Sequence, residues 1–390
     1  MFDHENVQAL VRRTHEQQVL AALRRRGPLS RAQLVRMVGI SRTTVSEITS
    51  DLIASGAVIV SATDAETRVG SGRRAQLLQL DSRAGQYVGV DLAHRHVRVV
   101  VAGAAQGTLA AAAADYRSQS WPERVTEAIR LVDETAERHG LHYGALQAVA
   151  IGVMGTDRHL RRLAGEAFGD RFACPVVVDN NTRFAALAEA LAEGPRVRDL
   201  LYLRLADGVG GGVVIGGRLV PGGLGNAGEF GHVRVEDGRA ARPCRCGGRG
   251  CLETVASVPA VLDRAGLGAG PGAGRTGALE QLAAAYADGD PAARAAVDRA
   301  AAATGRVLGM TTLVLSPERI VIGGPLPRLM PGLVPGIASA LADEVGVGAL
   351  PDVRGARLDD EDGARGAVAM LRERSPLVAE YAGPREDAHV

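Results

Sequence analysis

The chain contains no lysine, so all 45 of its basic residues are arginines. This excludes both a Schiff-base lysine and the lysine of a phosphate-binding P-loop as catalytic groups. Aromatic residues make up only 3% of the sequence, and four cysteines in 390 residues are too few for a disulfide scaffold. No apolar run approaches 18 residues and no secretory leader opens the chain, so we expect a cytoplasmic protein without a membrane span.

The composition is that of a globular protein with several domains. Hydrophobic residues make up 46% and charged residues 23%, and the length of 390 residues predicts two to three domains. The net charge of +1 is unevenly distributed, because residues 1–80 contain eleven arginines and seven acidic residues, a local net charge of +4. The remaining residues then carry −3. A positive N-terminal segment on a slightly acidic body indicates an anionic partner at that end.

Three short helical patterns within residues 14–60 are typical of a helix-turn-helix module. The first covers residues 14–26, the second begins at Ser30 with Gln33 completing a capping box, and the third begins at Ser41. The third helix has a polar face suited to the major groove, and a following hairpin with an arginine-rich tip forms a wing. The candidate DNA-binding residues are Ser41, Arg42, Thr43, Thr44, Ser46, Arg73 and Arg74. The alternative is a helical bundle with a hairpin that contacts another protein.

From residue 86 onward, apolar strands alternate with amphipathic helices. This alternation predicts α/β layers around a central sheet, in two successive blocks. The expected strands cover residues 87–92, 96–102, 148–153, 176–178, 201–203 and 320–324, and the expected helices cover 122–139 and 182–192. Residues 266–277 are rich in glycine, alanine and proline and predict a loose loop, followed by alanine-rich helices to about Gly309.

Three thiols and one imidazole form the sharpest chemical pattern in the sequence. Cys244, Cys246 and Cys251 share one glycine-rich stretch of eight residues, and His232 lies twelve positions before Cys244. Three sulfur ligands and one nitrogen suit a closed tetrahedral Zn²⁺ site, one per chain, which would be structural because no coordination position stays open. The alternative is a set of unrelated reduced cysteines. Cys174 stands apart and is expected to be a plain buried thiol.

The segment Gly228-Glu229-Phe230-Gly231-His232, followed by the cysteine run that ends at Glu253, resembles the motif of the ROK family. The resemblance covers about residues 14–375. It implies an N-terminal winged helix-turn-helix followed by a two-lobed, actin-like and sugar-kinase-like α/β domain. The implied domains are residues 1–80 for DNA binding, 81–195 plus about 363–390 for the first lobe, and 196–362 for the second lobe with the zinc loop. Kinases of the family lack the N-terminal module, so the match is to its repressor branch.

The resemblance also implies a sugar site. The positions that match the family's sugar-binding residues are Asn180, Glu229, His232 and Glu253, and the histidine is at the same time a zinc ligand. Carboxylates and an amide are suited to hydrogen bonds with vicinal hydroxyls, and a metal can hold the loop that presents them. For Glu229 the alternative is a carboxylate that only stabilises its loop.

Three departures from the family's kinases predict that the chain has no catalytic residues and does not use ATP. Asn181 stands where those kinases have the aspartate that serves as general base, and an amide cannot accept the proton. The first phosphate-binding turn reads Asp91-Leu92-Ala93-His94-Arg95 in place of the glycine-rich sequence of the kinases. In the second glycine segment, Ala206-Asp207-Gly208 would place a carboxylate near any phosphate.

These observations lead to one functional prediction and two alternatives. We expect a DNA-binding transcriptional regulator, a repressor of sugar uptake or catabolism genes, whose kinase-like body is a catalytically degenerate sensor. Its expected partners are double-stranded DNA with an inverted-repeat operator, a sugar or sugar-phosphate effector, and further copies in a homodimer or homotetramer. One alternative is an active ATP-dependent sugar kinase that carries a DNA-binding domain. The other is a regulator controlled by a protein partner, because only residues 156–174 remain where the family has a longer sugar-pocket segment.

Overall fold

The computed structural model of the chain describes two compact units. The first comprises Met1–Val153, Asp157–Asp179 and Ala367–Val390, and the second comprises Met154–Thr156 and Asn180–Gly366. The described residues are 4–63, 76–103, 107–155, 158–194, 196–239, 241–268, 275–346, 348–358 and 362–374. Within these ranges, no helix combines the length and the apolar character needed to cross a membrane. The division into domains 1–80, 81–195 plus about 363–390, and 196–362 stays a prediction.

The first unit begins with a three-helix module and a small sheet. Its elements are α1 (His4–Arg26), β1 (Leu29–Ser30), α2 (Arg31–Val38), α3 (Arg42–Ala54), β2 (Val58–Thr63) and β3 (Gln76–Leu80). The three strands are ordered β1-β3-β2, with antiparallel pairing. The predicted helix over residues 14–26 is part of a longer helix that begins at His4. The buried side chains that hold the module together include Leu20, Leu34, Ile48 and Leu52.

The turn between α2 and α3 forms where the capping residues predict it. Ser30 caps α2 because its hydroxyl accepts from the backbone N–H of Gln33, and the Gln33 side chain accepts from the Ser30 backbone N–H at 2.7 Å. Gly39 ends α2 in the left-handed conformation, with φ of 76°. Ser41 then caps α3 by accepting from the Thr44 N–H at 3.1 Å. The predicted helix-turn-helix is therefore confirmed in its local geometry.

A five-stranded sheet with two helices makes up most of the described remainder of the first unit, which also includes residues 367–374 of the last helix. Its elements are β4 (Gly85–Leu92), β5 (His96–Gly103), β6 (Thr108–Asp115), α4 (Trp121–His139), β7 (Ala148–Val153), α5 (Arg158–Phe172) and β8 (Val176–Asn180). The strand order is β6-β5-β4-β7-β8, with β4 parallel to β7 and antiparallel to β5. Every residue of β4 is buried, including the polar side chains of Gln86 and Asp91, so this central strand is covered on both faces.

The second unit contains a second mixed sheet and most of the helices. Its elements are α6 (Asn181–Ala192), β9 (Leu200–Leu205), β10 (Val209–Ile215), β11 (Arg218–Leu219), a 3₁₀ turn (Phe230–His232), α7 (Glu253–Ala256), α8 (Val258–Arg264), α9 (Arg275–Ala287), α10 (Pro291–Leu315), β12 (Arg319–Gly323), α11 (Pro325–Leu329), α12 (Leu333–Val345), β13 (Asp352–Gly355) and α13 (Asp362–Arg374). The strand order is β11-β10-β9-β12-β13. A winged helix-turn-helix followed by two α/β blocks confirms the predicted fold class.

Strand β10 carries the glycine run, and its glycines allow close packing on both sides. A Cβ at Gly211 would lie 2.4 Å from the Tyr202 carbonyl oxygen and 2.5 Å from the Phe230 ring. A Cβ at Gly212 would lie 2.5 Å from Ala186 of α6. Real Cβ atoms do not approach this closely, so larger residues would push α6 and the 3₁₀ turn away from the sheet. Both elements carry candidate site residues.

Strand β6 and helix α5 are among the elements that the sequence patterns missed, and one prediction was partly wrong. Strand β6 reads Thr-Leu-Ala-Ala-Ala-Ala-Ala-Asp, a composition of good helix formers, but it pairs with β5 along its length. Helix α5 contains two glycines, which weaken its local signal. Residues 266–277 were predicted as a loop, whereas α9 begins at Arg275. Residues 269–274 of that loop lie outside the described residues.

A glycine substitution pair tests the packing of α13 on α6. A Cβ at Gly366 would lie 1.7 Å from the Phe184 carbonyl oxygen, so we expect Gly366→Ala to destabilise the protein by about 1–3 kcal/mol through overpacking. At Gly277 in α9, nothing lies within 4 Å of the position that a Cβ would take, so Gly277→Ala is the matched control and should stabilise α9 by about 0.5–1 kcal/mol. Thermal unfolding of both variants measures the difference. Equal melting temperatures would contradict the close packing at Gly366.

Candidate functional site

Helix α3 presents a polar face on the surface of the N-terminal module. Ser41, Arg42, Thr43 and Ser46 are exposed, whereas Thr44 is half-buried and its hydroxyl lies 2.8 Å from the Ser41 hydroxyl. Arg73 and Arg74 lie outside the described residues. The exposed set combines a guanidinium with short hydroxyl side chains at the start of a helix, which is the arrangement that reads base edges and phosphates.

Arg31 is a positioning residue of this module that the sequence patterns did not reveal. Its Nε donates to the Thr49 hydroxyl of α3 at 2.9 Å, and its Nη1 donates to the Gln76 side chain of β3 at 3.2 Å. Thr49 is fully buried, so the contact links the start of α2 to the inner face of α3 and to the wing strand. An arginine directly after a cap residue gives no local signal of such a role.

His232, Cys244, Cys246 and Cys251 come together in the second unit. Their four ligand atoms all lie within 4.8 Å of one another. Cys244 Sγ lies 3.5 Å from His232 Nδ1, and Cys246 Sγ lies 3.6 Å from Cys251 Sγ. The backbone folds the loop locally, because the Cys244 N–H donates to the Gly248 carbonyl at 2.8 Å. This cluster of one nitrogen and three sulfur atoms could hold a metal ion.

The pKa values of the three thiols also bear on metal binding. The backbone N–H of Gly248 lowers the pKa of the exposed Cys246 thiol. Burial raises the pKa of Cys251 to about 12, and burial likewise raises the pKa of Cys244. Three thiols at this spacing cannot all ionise near neutral pH by themselves, because each thiolate disfavours the next. A metal ion among them would supply the positive charge that makes three thiolates stable.

Asn180 and Glu229 form the second part of the candidate site. Asn180 caps α6, since its Oδ1 accepts from the Thr182 backbone N–H at 3.0 Å, and its Nδ2 donates to Glu229 Oε1 at 3.2 Å. Arg183 lies one turn into α6 with a buried side chain, 3.8 Å from Glu229 Oε1. Its Nε donates to the Ala227 carbonyl at 3.1 Å, and its Nη2 donates to the Gly225 carbonyl. Arg183 therefore holds the loop that carries Glu229 against α6.

Glu253 begins α7, two residues after the last cysteine of the cluster. It is 8% exposed, and its Oε2 accepts from the Val209 backbone N–H of β10 at 3.1 Å. Arg245, between the first two cysteines, contacts both of its oxygens: Nη2 donates to Oε2 at 2.7 Å, and Nε lies 2.7 Å from Oε1. The segment that carries the three clustered cysteines, residues 244–251 (the metal loop), is thus joined to Glu253 by an ion pair with two contacts.

The structure brings the predicted site residues together in two linked groups. His232 completes the cysteine cluster and follows Glu229 by one 3₁₀ turn, with its backbone N–H donating to the Glu229 carbonyl at 3.1 Å. Glu253 is tied to the same cluster through the Cys251 segment and Arg245. Sequence reasoning missed Arg183 and Arg245, because the sequence does not show which arginines are paired with a carboxylate.

Two sequence families match this chain. The winged helix-turn-helix DNA-binding pattern matches residues 12–59. The ROK family pattern matches residues 164–374, just over half of the chain. The chain belongs to the ROK family.

Relatives with different activities resemble the chain. A kanosamine kinase from Amycolatopsis mediterranei is 42% identical over 190 residues, and the match covers 47% of this chain and 59% of that protein. The DNA-binding transcriptional repressor Mlc from Escherichia coli is 23% identical over 354 residues, and the match covers 86% of each chain. A crystal structure of a ROK family transcriptional regulator, a homologue of Mlc, superposes with a TM-score of 0.65 at 22% identity, covering 95% of this chain and 98% of the other. The last match shows the shared fold.

The structure describes the local surroundings of the positions at which the sequence predicts a departure from the family's kinases. Asn181 is the first residue of α6 and is buried. Asp179 lies 3.5 Å from Arg161, so its carboxylate faces an arginine of α5. Residues 93–95 form a tight connection between β4 and β5, in which the Ala93 N–H donates to the His96 carbonyl at 3.1 Å. ROK relatives of this chain include a repressor and a kinase. Membership of the family therefore does not by itself decide whether the chain is an enzyme.

Proposed function

We propose that the chain is a transcriptional repressor of sugar uptake or catabolism genes, with a body that senses a sugar or sugar phosphate. One observation carries the proposal: a winged helix-turn-helix with Arg42, Thr43 and Ser46 exposed on α3 is joined to a ROK body. The similarity to Mlc, which spans this same combination over 86% of both chains, supports it. Because DNA is the proposed ligand, we place the protein in the cytoplasm.

In the proposed complex, α3 enters the major groove by its N-terminal end. Arg42 would read a guanine edge, and Ser41, Thr43 and Ser46 would contact bases or phosphates. The hydroxyls of Ser41 and Thr44 lie 2.8 Å apart at the helix cap, so a contact of either residue with DNA would exchange this hydrogen bond for one to the nucleic acid. Arg73 and Arg74 would hold the backbone or the minor groove. A single module reads few bases, so a homodimer or homotetramer on an inverted repeat is expected.

Binding to selected DNA tests this role. We expect selection from a random duplex library to yield an inverted repeat with half-sites one or two helical turns apart. Arg42→Ala should weaken binding to that site by about 1–3 kcal/mol and relax the base preference at one position per half-site. Arg130→Ala removes the same charge from an exposed position on α4 and is the matched control. Equal footprints and affinities for the wild-type protein and Arg42→Ala would contradict a recognition role for α3.

The metal proposed for the cysteine cluster is a structural Zn²⁺ ion. A tetrahedral zinc site with sulfur ligands at about 2.3 Å places its ligand atoms roughly 3.8 Å apart. The separations of 3.5 Å between His232 and Cys244 and of 3.6 Å between Cys246 and Cys251 are close to that value. Four protein ligands leave no position for a reacting water, so the ion would hold the loop rather than take part in chemistry.

Metal analysis of two cysteine variants tests the zinc site. We expect about one zinc per chain in the wild-type protein and a large loss in Cys246→Ser, because a hydroxyl is a poor replacement for a thiolate ligand. Cys174→Ser is the matched control, since Cys174 is the one cysteine outside the cluster and its substitution should leave the zinc content unchanged. Equal zinc in wild type and Cys246→Ser would remove Cys246 from the site.

For the effector, we propose that Asn180, Glu229, His232 and Glu253 contact sugar hydroxyls. The hydrogen bond from Asn180 to Glu229 supports this, because it holds one amide and one carboxylate next to each other, where both could contact the same ligand. The link of His232 and Glu253 to the metal loop supports it further, since the ion would restrain both side chains. Because one relative is a kanosamine kinase, kanosamine is the first compound to be tested.

A sugar kinase is the second candidate function, because the kanosamine kinase is 42% identical over the part of the chain that it matches. The chain spans only 59% of that protein. Against this candidate, Asn181 stands at the base position, and the loss of a general base costs about 10²–10⁴-fold in rate. We therefore propose that the ROK body is not an enzyme.

A phosphorylation assay separates the two candidates. With ATP and either kanosamine or D-glucose, we expect no turnover above background for the wild-type protein. Asn181→Asp alone should not restore activity, because the turn over residues 91–95 still lacks the glycines of the kinases and Asp207 still carries a charge beside Gly208. Steady turnover by the wild-type protein would establish the kinase. Turnover by Asn181→Asp only would show that the phosphate-binding turns are intact.

A further inference from the structure

Arg245 makes the contact in this site that the proposed function does not use. It stands between Cys244 and Cys246, so its backbone position is set by two of the proposed metal ligands. Its guanidinium reaches from that loop to Glu253, with Nη2 and Nε each 2.7 Å from one carboxylate oxygen. Two parallel contacts of this kind are the strongest geometry available to an arginine and a carboxylate.

The pair leaves Glu253 with little hydrogen-bonding capacity. A carboxylate has about four lone-pair sites. Arg245 takes one on each oxygen, and the Val209 N–H takes a second one on Oε2. Gly208 lies against the same ion pair, because a Cβ at this position would lie 2.8 Å from Oε2 and 3.0 Å from Arg245 Nη2. Two vicinal hydroxyls of a sugar would donate to the two carboxylate oxygens of Glu253. Arg245 already contacts both of these oxygens.

Exposure shows which partner can leave. The Glu253 side chain is 11% exposed and is anchored to β10, whereas the Arg245 side chain is 58% exposed. The guanidinium can therefore swing into water with little loss of solvation, but the carboxylate cannot. Water also screens the attraction in a pair that is exposed on one side, so displacement by a ligand is within reach.

We propose that Arg245 competes with the sugar for Glu253 and thereby sets the affinity of the site for its effector. This inference rests on the proposed sugar-sensing function. Binding of vicinal hydroxyls to Glu253 requires the guanidinium to leave, and its departure removes the contact that this side chain makes between the Cys244–Cys246 segment and α7. Sugar binding and the conformation of the metal loop are then linked through one side chain.

Calorimetric titration with kanosamine and with D-glucose tests the competition. Arg245→Ala should bind the sugar that the wild-type protein binds about 2- to 5-fold more tightly, since an ion pair of this exposure contributes up to about a fivefold factor. Arg245→Lys should lie between the two, because an ammonium group keeps the charge but cannot make the two parallel contacts. Arg249→Ala removes the same charge from an exposed position on the same loop and should leave the dissociation constant unchanged.

Zinc content and melting temperature, measured on the same samples, show that each variant is folded and metal-loaded. Equal dissociation constants for wild type and Arg245→Ala would overturn the competition and leave sugar sensing in place. Weaker binding by Arg245→Ala would also overturn it and would assign Arg245 to the sugar contacts. Failure of the wild type and of every variant to bind either sugar would overturn sensing of these sugars and the competition with it.

Discussion

The run of three glycines in β10, residues 210–212, is the constraint on which the candidate site depends. Gly211 and Gly212 let the strand lie against the Phe230 ring on one side and against Ala186 of α6 on the other. The start of α6 supplies Asn180, the turn at Phe230 supplies Glu229 and His232, and the first residue of β10 holds Glu253 through its N–H. A bulky residue at Gly211 or Gly212 would push these site residues apart, although they come from distant parts of the sequence.

Charge balance is the second feature that organises the site. Arg183 is buried beside Glu229, and Arg245 is paired with Glu253, so each candidate sugar-binding carboxylate has its own guanidinium. The two pairs differ in exposure: Arg183 has a fully buried side chain that also holds two loop carbonyls, whereas Arg245 lies mostly in water. A buried arginine with three oxygen neighbours is a structural support, because removing it would leave those acceptors unsatisfied. An exposed one can move, which is why the two arginines receive different roles.

The same body can serve as an enzyme or as a sensor, and few residues separate the two. ROK relatives of this chain include a kinase and a repressor. The scaffold of two mixed sheets, the cysteine loop and the asparagine cap of α6 are compatible with both. The proposal that this chain is not a kinase rests on Asn181 at the start of α6 and on a connection after β4 that lacks glycine. In the proposed sensor, the missing general base would slow phosphoryl transfer by about 10²–10⁴-fold, while hydrogen bonds to a sugar would not depend on it.

The sequence by itself determined those features that depend on neighbours a few residues away. The Ser30 capping box, the Ser41 cap, the end of α2 at Gly39 and the spacing of the three clustered cysteines are local, so their residue types carry the whole signal. The alanines of β6 did not carry it, because only pairing with β5 makes that segment a strand. Arg31, Arg183 and Arg245 were also beyond reach, since an arginine in sequence is the same whether it is solvated or paired. Their partners lie 18, 46 and 8 residues away in the sequence, and only the tertiary structure brings each guanidinium to its acceptor. Burial removes water from both groups, and it therefore decides whether the pair is lower in free energy than the two hydrated groups.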